Sequence, residues 1–309
     1  MEYPVVSIGI GSYNNATFLG ILLDSIRAQT YPAIEVIVVD DCSTDDSVGV
    51  VQRWMERTNY PVIFVQRAAN QGLVRTYSEC TRLSTGRVVS LVGSDVVLDP
   101  DLIALTVEEL DRCGQTCGAV YSDCRLIDSS GQEIAPSFLR YFNSGYMDSL
   151  PEGNLIVPLL QGFYLPTLTT TVRREALDAV GTHDTTLFSE DLDMWLRISR
   201  KFSFGYLPAV LGSYRVHNAS AVHTNKLALN ETYFKIYKKG YFQGGEEWQA
   251  ARNRLTDNAE HYYASRGSNA SEFLLYAFKE TKAAKLLLFA VASKMGLSYE
   301  RLMSIVGRK

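Results

Sequence analysis

The sequence lacks an apolar stretch long enough to cross a membrane. The longest uninterrupted apolar run near the C-terminus covers residues 286–292, whereas a spanning helix needs about 20 residues. Residues 1–12 contain no basic segment followed by an apolar one, so a secretory signal is not expected. We therefore expect a cytoplasmic protein, in which the four N-x-S/T sequons carry little meaning because glycosylation needs a secretory route.

Cysteine is scarce, and neither sign of charge dominates. The five cysteines form no C-x-x-C pair, and one would be left over from any full pairing. Reduced thiols are therefore expected rather than a disulfide framework or a zinc site. The net charge is −4, from 30 basic and 34 acidic residues. That balance argues against a general polyanion binder, so nucleic acid is not an expected partner.

Several phosphate and nucleophile motifs are also missing. The first strand-like run leads into GIGSYN, which lacks the third glycine of the dinucleotide-binding fingerprint. The chain has no Walker A lysine loop and no G-x-S-x-G nucleophile elbow. A pyrophosphorylase-like enzyme is disfavoured as well, because it predicts a loop rich in Gly, Lys and Arg after the first strand, and GSYNNATF contains no basic residue.

The first hundred residues alternate between strand and helix patterns. Four short runs are rich in Val and Ile and apolar on both faces, which is typical of strands in a covered parallel sheet: residues 5–10, 35–39, 62–65 and 87–92. Amphipathic stretches lie between them, and Ser43 with Asp46 predicts a capping box at the start of the second helix. Strand–helix–strand repetition with short links predicts an open, doubly wound α/β sheet.

Polar side chains follow three of these strands. They are Ser12 and Tyr13 after the first strand, Asp40 and Asp41 after the second, and Ser94 and Asp95 after the fourth. Ligands of doubly wound sheets bind beyond the carboxyl ends of the strands. Ser and Asp are also good turn and cap residues, which would explain one such strand end but not three. We therefore expect a ligand site at this edge of the sheet.

These segments, together with SEDLD at residues 189–193, resemble family 2 glycosyltransferases of the GT-A fold over roughly residues 4–220. The resemblance implies a Rossmann-like, mostly parallel sheet flanked by helices, as in nucleotide-diphospho-sugar transferases. It implies a catalytic domain over residues 1–224, with a nucleotide-binding half to about 118 and an acceptor half from about 119 to 224. Residues 225–309 are not covered and read as a helical C-terminal extension.

The resemblance also implies how the nucleotide-sugar donor is bound. The implied donor-binding residues are Ser12, Tyr13, Asp40, Asp41, Arg75 and Ser94. Tyr13 would offer its ring face to the base, and Asp40 would accept a hydrogen bond from the base ring N–H. Asp41 would either contact the donor or brace the following turn. The arginine that the family usually carries in the next helix falls on Tyr77, and Arg75 stands two positions earlier.

A divalent metal is the implied cofactor. GSD occupies the position of the family's D-x-D motif, with Gly93 in place of the first acid and Asp95 matching the last. His217, in YRVHN, matches a histidine that the family often places near the diphosphate. Because Mg²⁺ keeps several waters and takes phosphate oxygens, one or two protein ligands suffice. An imidazole beside a carboxylate fits Mn²⁺ somewhat better than Mg²⁺. The alternative is that Asp95 ends a strand and His217 is a loop residue.

SEDLD supplies the implied catalytic groups. An acceptor hydroxyl must lose its proton as it attacks the sugar, so a carboxylate is needed on the face opposite the leaving group. The resemblance assigns this general base to Asp191, with Glu190 beside it. The other reading is that Glu190, Asp191 and Asp193 only favour a helix N-terminus.

The implied reaction is inverting transfer of a sugar from a nucleotide diphosphate donor, with a UDP-sugar favoured, to a hydroxyl of a glycan or lipid-linked acceptor in bacterial surface polysaccharide assembly. The alternative is a metal-poor, non-catalytic GT-A-like protein that binds a nucleotide or sugar. Near the C-terminus, lysines flank apolar residues at positions 279, 282, 285 and 294, which suits peripheral contact with the inner face of the cell membrane. A helical cap on the catalytic domain, or a homodimer contact, would explain the same pattern.

Overall fold

The structure is a computed structural model that describes residues 3–146, 149–217, 225–240 and 244–306. The chain divides into two compact units. The sheet unit contains residues 1–155, 163–186 and 190–217, and the helical unit contains residues 156–162, 187–189 and 218–309. The boundary expected at residue 224 lies outside the described residues. The expected division into two halves near residue 118 stays a prediction.

Within the described residues, nine strands form one sheet. They are β1 (Val6–Ser12), β2 (Ile34–Asp40), β3 (Val62–Gln66), β4 (Val88–Gly93), β5 (Val97–Leu98), β6 (Cys117–Ile127), β7 (Glu133–Ala135), β8 (Thr170–Arg173) and β9 (Ser203–Arg215). The order is β3-β2-β1-β4-β8-β6-β9-β5, and β7 pairs with β6. The register sets Ser12 beside Asp40 and Gly11 beside Gly93, so the carboxyl ends of β1, β2 and β4 lie side by side.

The predicted α/β fold is confirmed, and the four predicted strands shift by no more than two residues at either end. The sheet is mixed, however. β1 to β4 are parallel, whereas β8 runs antiparallel to both β4 and β6. β9 has no clear strand pattern in the sequence, because Gly205, Pro208 and Gly212 interrupt its apolar residues.

Helices cover both faces of the parallel part of the sheet. In the sheet unit they are α1 (Ala16–Arg27), α2 (Ser47–Met55), α3 (Leu73–Leu83), α4 (Leu102–Arg112), α5 (Phe138–Phe142), α7 (Arg174–Val180) and α8 (Asp191–Ser199). α1 shows how they pack: Leu19, Leu22, Leu23 and Ile26 recur at helical spacing and are fully buried. Together with the buried side chains of β1 and β2 they form the main core.

The predicted capping box at the start of α2 is wrong. The helix begins at Ser47, and the preceding Asp46 makes no side-chain cap bond; its carboxylate pairs with Arg53 at 2.7 Å instead. Ser43 turns back to Asp40, donating from its amide over 2.9 Å and from its hydroxyl over 2.5 Å. The buried Asp40 carboxylate needs hydrogen-bond donors, and Ser43 supplies two of them. Ser43 therefore bonds to the strand end and not to the start of the helix.

The helical unit is built from α6 (Ile156–Gln161) and five later helices. These are α9 (Lys226–Lys238), α10 (Gly245–Ala264), α11 (Ala270–Thr281), α12 (Ala284–Lys294) and α13 (Tyr299–Val306). Phe273 and Leu274 of α11 and Leu286 of α12 are fully buried, so these helices share a core of their own. Across the residues that the structure describes, no helix combines the length and the apolar character needed to cross a membrane.

Gly9 in β1 offers a test of how tightly the parallel sheet and α3 pack. A Cβ at this position would lie 2.7 Å from Leu91 Cδ2 and 2.8 Å from Cys80 Cβ, so both neighbours would have to shift. Gly9→Ala should therefore lower the free energy of unfolding by about 1–3 kcal/mol in urea titrations.

Gly20→Ala in α1 is the matched control. Its added Cβ would lie at an ordinary 3.7 Å from Val50, and alanine is favoured over glycine inside a helix by about 1 kcal/mol. The control should be as stable as the parent chain or slightly more stable. Equal stability of the two variants would mean that β1 and α3 are packed more loosely than the structure shows.

Candidate active site

The turns after β1 and β2 are tied to each other at the strand ends. Asn14, which has a φ of 48°, donates its amide to Ser43 Oγ over 2.9 Å and accepts from the Thr44 amide over 2.7 Å. Asn15 Nδ2 donates to Ser94 Oγ over 2.8 Å, which links the same turn to the end of β4. Three strand ends that are far apart in sequence are thereby fixed as one surface.

Ser12, Tyr13 and Asp40 lie at these strand ends and differ in their exposure. Asp40 is fully buried, and both of its oxygens accept hydrogen bonds from Ser43. A carboxylate has lone pairs for further donors, so Asp40 is able to accept one more. Ser12 is only 2% exposed and its hydroxyl has no hydrogen-bond partner, whereas the Tyr13 ring is 50% exposed. A buried hydroxyl without a partner beside an open aromatic ring is what a bound base or ribose would complete.

Asp41 is held by its own chain. Its carboxylate accepts the amides of Gln71 at 2.9 Å and Gly72 at 2.7 Å and pairs with Arg67 at 3.0 Å. Arg67 also pairs with Glu79 at 2.5 Å. Gly72 has a φ of 90°, which favours glycine. Asp41 therefore braces the turn into α3, the second of the two roles expected for it.

Tyr77 lies near the carboxylates of Glu190 and Asp95, whereas the expected contact of Arg75 with the donor stays a prediction. Arg75 is exposed on α3. Tyr77 is buried, and its pKa is raised well above the usual value by that burial and by the charges of Glu190 and Asp95. A Cβ at Gly93 would lie 2.9 Å from Asp95 Oδ1 and 3.8 Å from the Tyr77 hydroxyl. A side chain at position 93, where the D-x-D motif has its first acid, would therefore meet the Asp95 carboxylate and lie near the Tyr77 hydroxyl.

Asp95 and His217 meet across the site. His217 Nε2 lies 3.0 Å from Asp95 Oδ2, although the two residues are 122 positions apart. Their side chains are 14% and 26% exposed, so both reach solvent. Among the residues that the structure describes, no three His, Cys, Asp or Glu side chains gather closely enough to hold a metal ion by themselves. The pair offers one carboxylate and one imidazole, a donor set that fits a divalent ion whose other ligands are phosphate and water.

Two residues that the sequence did not single out hold this pair in place. The Arg215 guanidinium lies 4.5 Å from the centre of the Phe18 ring, and its Nε donates to the Asp95 carbonyl over 3.2 Å. The same ring lies 5.4 Å from the His217 ring. Phe18, in α1, is only partly buried because it faces this cluster. The signal in the sequence was an arginine two positions before the histidine, in YRVH.

Glu190 and Asp191 stand at the start of α8. Asp191 is the first helical residue and is partly exposed, whereas Glu190 is 8% exposed and its Oε2 has no hydrogen-bond partner. Burial and the neighbouring Asp191 raise the pKa of Glu190 to about 8. Asp193 is buried and pairs with Arg197 at 2.9 Å, so it serves the helix. Of the three acids, Asp191 is the one that combines solvent access with a neutral neighbour.

A small cavity lies behind Glu190 and Asp191. Its volume is about 20 Å³, and its lining includes Glu190, His183 and Trp195. Glu190 Oε2, His183 Nδ1 and Trp195 Nε1 all lack hydrogen-bond partners. Burial, together with the nearby Arg197 charge, lowers the pKa of His183 to about 4, so this imidazole is neutral. A cavity of this size holds one water, and polar lining atoms make such a water favourable.

Residues 7–158 match the sequence model described as Glycosyl transferase family 2. The chain carries the sequence of a family 2 glycosyltransferase over these residues, which are about half of its length. It is 30% identical over 135 residues to the chondroitin synthase of Escherichia coli, which is 44% of this chain and 19% of that protein. The chain thus spans less than a fifth of that relative's length, so the activity of the whole relative is not carried over.

Two solved structures share the GT-A fold with this family 2 glycosyltransferase. S. aureus TarS 1-349 in complex with UDP-GlcNAc has a TM-score of 0.68 at 15% identity, covering 96% of this chain and 93% of that one. The mannosyltransferase PcManGT from Pyrobaculum calidifontis, in complex with GDP-Man and Mn²⁺, has a TM-score of 0.64 at 20% identity, covering 98% and 83%. At these identities the likeness establishes the fold.

Replacing Glu190 tests its raised pKa. Because Glu190 in the folded protein retains a proton that it releases near pH 4.5 in the unfolded chain, its contribution to stability should fall as the pH rises from about 4.5 to about 8 and level off above that. The slope has an upper limit of about 1.4 kcal/mol per pH unit. Glu190→Gln cannot titrate, so the free energy of unfolding of the parent chain, measured in urea and taken relative to that of the variant, should decrease across this range.

Glu56→Gln, at an exposed position beyond α2, is the control and should keep the parent profile. If Glu190→Gln and the parent chain gave parallel profiles, Glu190 would be ionised in the folded protein throughout this range.

Proposed function

We propose that the protein transfers a sugar from a nucleoside diphosphate donor, with a UDP-sugar favoured, to a hydroxyl of a glycan or lipid-linked acceptor in bacterial surface polysaccharide assembly. The transfer inverts the anomeric carbon. The observation that carries the proposal is the meeting of Asp95 with His217 on the same edge as Ser12 and Asp40. UDP-GlcNAc in TarS and GDP-Man with Mn²⁺ in PcManGT support the donor class and the cofactor.

The donor's base and ribose are proposed to bind at the ends of β1 and β2. The Ser12 hydroxyl donates to the ligand, since it has no partner within the protein. Asp40 accepts the base N–H with a lone pair not used by Ser43, and the open ring of Tyr13 stacks on the base. Ser94, tied to Asn15, brings the end of β4 toward the phosphates.

Asp95 and His217 are the residues that would hold Mn²⁺ or Mg²⁺. A divalent cation supplies charge neutralisation for the nucleoside diphosphate as the glycosidic bond breaks. Asp95 Oδ2 and His217 Nε2, at 3.0 Å, are already oriented toward each other. Arg215 holds the Asp95 backbone, and Phe18 contacts both Arg215 and His217. The chain therefore supplies a small, fixed donor set.

Asp191 is the proposed general base. The acceptor oxygen attacks the anomeric carbon while the bond from that carbon to the diphosphate oxygen breaks, and the acceptor proton passes to the Asp191 carboxylate. Glu190, with a pKa of about 8, is largely protonated at neutral pH. Only one of the two adjacent carboxyl groups then carries charge, and the charge sits on the partly exposed one.

A non-catalytic nucleotide- or sugar-binding protein is the second candidate. Gly93 favours it, because this position lacks the first acid of the family's D-x-D motif. The two candidates differ in whether nucleotide binding depends on the metal and whether transfer follows binding. A thermal-shift panel of UDP-, GDP- and dTDP-sugars with Mn²⁺ would identify the donor, since a bound donor stabilises the fold.

Asp191→Asn tests the base. The variant keeps the shape of the side chain but cannot accept the proton, so transfer should fall by about 10²–10⁴-fold while donor affinity changes little. Nucleoside diphosphate release measures the first quantity and calorimetry the second. Asp178→Asn, an exposed change on α7, should retain full activity. Normal turnover by Asp191→Asn would remove Asp191 from the catalytic role.

Asp95→Asn and His217→Ala test the metal site. Calorimetric titration with UDP should show tighter binding with Mn²⁺ than without it for the parent chain, and each variant should lose most of that difference. Asp101→Asn, at an exposed position just before α4, is the control and should behave like the parent. UDP binding that is indifferent to Mn²⁺ in the parent chain, with no donor hydrolysis, would favour the non-catalytic binder.

A further inference from the structure

Helix α12 is apolar on both of its faces. Leu286, Phe289 and Ala290 point into the core of the helical unit and are at most 5% exposed. The opposite face carries four more large apolar side chains, namely Leu287, Leu288, Val291 and Met295, the last just beyond the helix, with exposures of 41, 46, 50 and 71%. A helix at the surface of a soluble domain normally turns a polar face outward. The outer face of α12 therefore indicates a surface that binds another molecule or assembly.

Helix α13 continues this apolar surface along the chain. Met303, Ile305 and Val306 are 40, 59 and 48% exposed. Together with the four side chains on the outer face of α12, they make up what we term the C-terminal apolar surface. It holds seven of the twenty large apolar side chains that are exposed among the described residues, within only 20 positions of sequence. Scattered apolar residues need no explanation, but such a concentration marks an interaction surface.

The charges around this surface are mostly positive. Residues 279–306 contain four lysines and one arginine against two glutamates, a net of +3, whereas the whole chain carries −4. At 100° per residue, Lys285 and Lys294 fall on opposite margins of the outer face of α12. Lys285 pairs with Glu260 at 2.7 Å, and Lys279, Lys282 and Lys294 are exposed.

We propose that the C-terminal apolar surface docks on the headgroup region of an anionic phospholipid membrane. An apolar helix face bordered by lysines suits this location, because the apolar side chains enter the acyl boundary while the ammonium groups stay with the phosphates. α12 has 11 residues and so lies in the plane of the interface. The net charge of +3 in this segment would repel the same surface of a second copy, which disfavours a second copy as the occupant.

This docking deepens the proposed function, since it places the chain on the surface that carries a lipid-linked acceptor. The membrane docking and the proposed glycosyl transfer can be tested independently. Vesicle binding needs neither donor nor acceptor, and transfer to a water-soluble acceptor fragment needs no membrane. Loss of transfer with intact vesicle binding would remove the proposed function alone, and the reverse result would remove the docking alone.

Co-sedimentation of the full chain with vesicles tests the docking. The chain should bind vesicles of phosphatidylcholine containing about 30 mol% phosphatidylglycerol and should bind pure phosphatidylcholine vesicles far more weakly. About 0.5 M NaCl should weaken the binding by screening the lysines. The double variant Leu288→Gln/Val291→Gln should bind roughly tenfold more weakly, because two apolar side chains no longer enter the bilayer.

Ile134→Gln is the matched control, because Ile134 is 48% exposed and lies in the sheet unit, outside this surface. It should bind as the parent does. A second variant, Lys282→Gln/Lys294→Gln, changes only exposed charges and should lose the preference for anionic vesicles while keeping the parent unfolding temperature. Absence of parent binding to anionic vesicles would overturn the proposal. So would a dimer in sedimentation velocity that the Leu288→Gln/Val291→Gln variant abolishes, because the surface would then belong to a second copy.

Discussion

The in-register pairing of three parallel strands is the constraint on which the candidate site depends. β2, β1 and β4 end at the same level, so groups from residues 12, 40 and 94–95 share one edge. These strands are buried on both faces, and a slip of one residue would exchange the side chains that pack against the two layers of helices, so close packing on both faces maintains the register. The hydrophobic core thus sets the spacing of the polar groups, and the turns after the strands need only connect them.

The side of the site formed by Asp95 and His217 depends on a second, longer connection. Arg215 ends β9, yet it bonds to the Asp95 carbonyl and packs on Phe18 at the start of α1. His217, two residues later, contacts the same ring and the Asp95 carboxylate. Arg215 is only 3% exposed, and its guanidinium donates hydrogen bonds to backbone carbonyl groups. It therefore connects β9 to α1 and to the segment that carries Asp95. The mixed half of the sheet therefore contributes to the site as directly as the parallel half.

The sequence alone predicts the parallel half of the sheet and points to most of the candidate residues, because both are specified by local patterns. Val-rich runs with turn residues behind them specify buried strands and their ends locally, so Asp40, Asp95 and Asp191 are visible as acids at element boundaries. Contacts between distant parts of the chain have no such local trace. Arg67 with Asp41, Phe18 with Arg215 and Glu190 with its cavity are recognised only once the chain is folded.

In the sequence, Gly93 stands where the family has the first acid of its D-x-D motif. In the structure, the space beside Gly93 is occupied by the side chain of Asp95. The Asp95 carboxylate folds back so closely that any side chain at position 93 would begin 2.9 Å from it. An acid at 93 and the present rotamer of Asp95 therefore exclude each other. Because the same Asp95 carboxylate contacts His217 through its other oxygen, a substitution at position 93 would disturb that contact. The effect of a substitution at position 93 therefore depends on the conformation that Asp95 adopts.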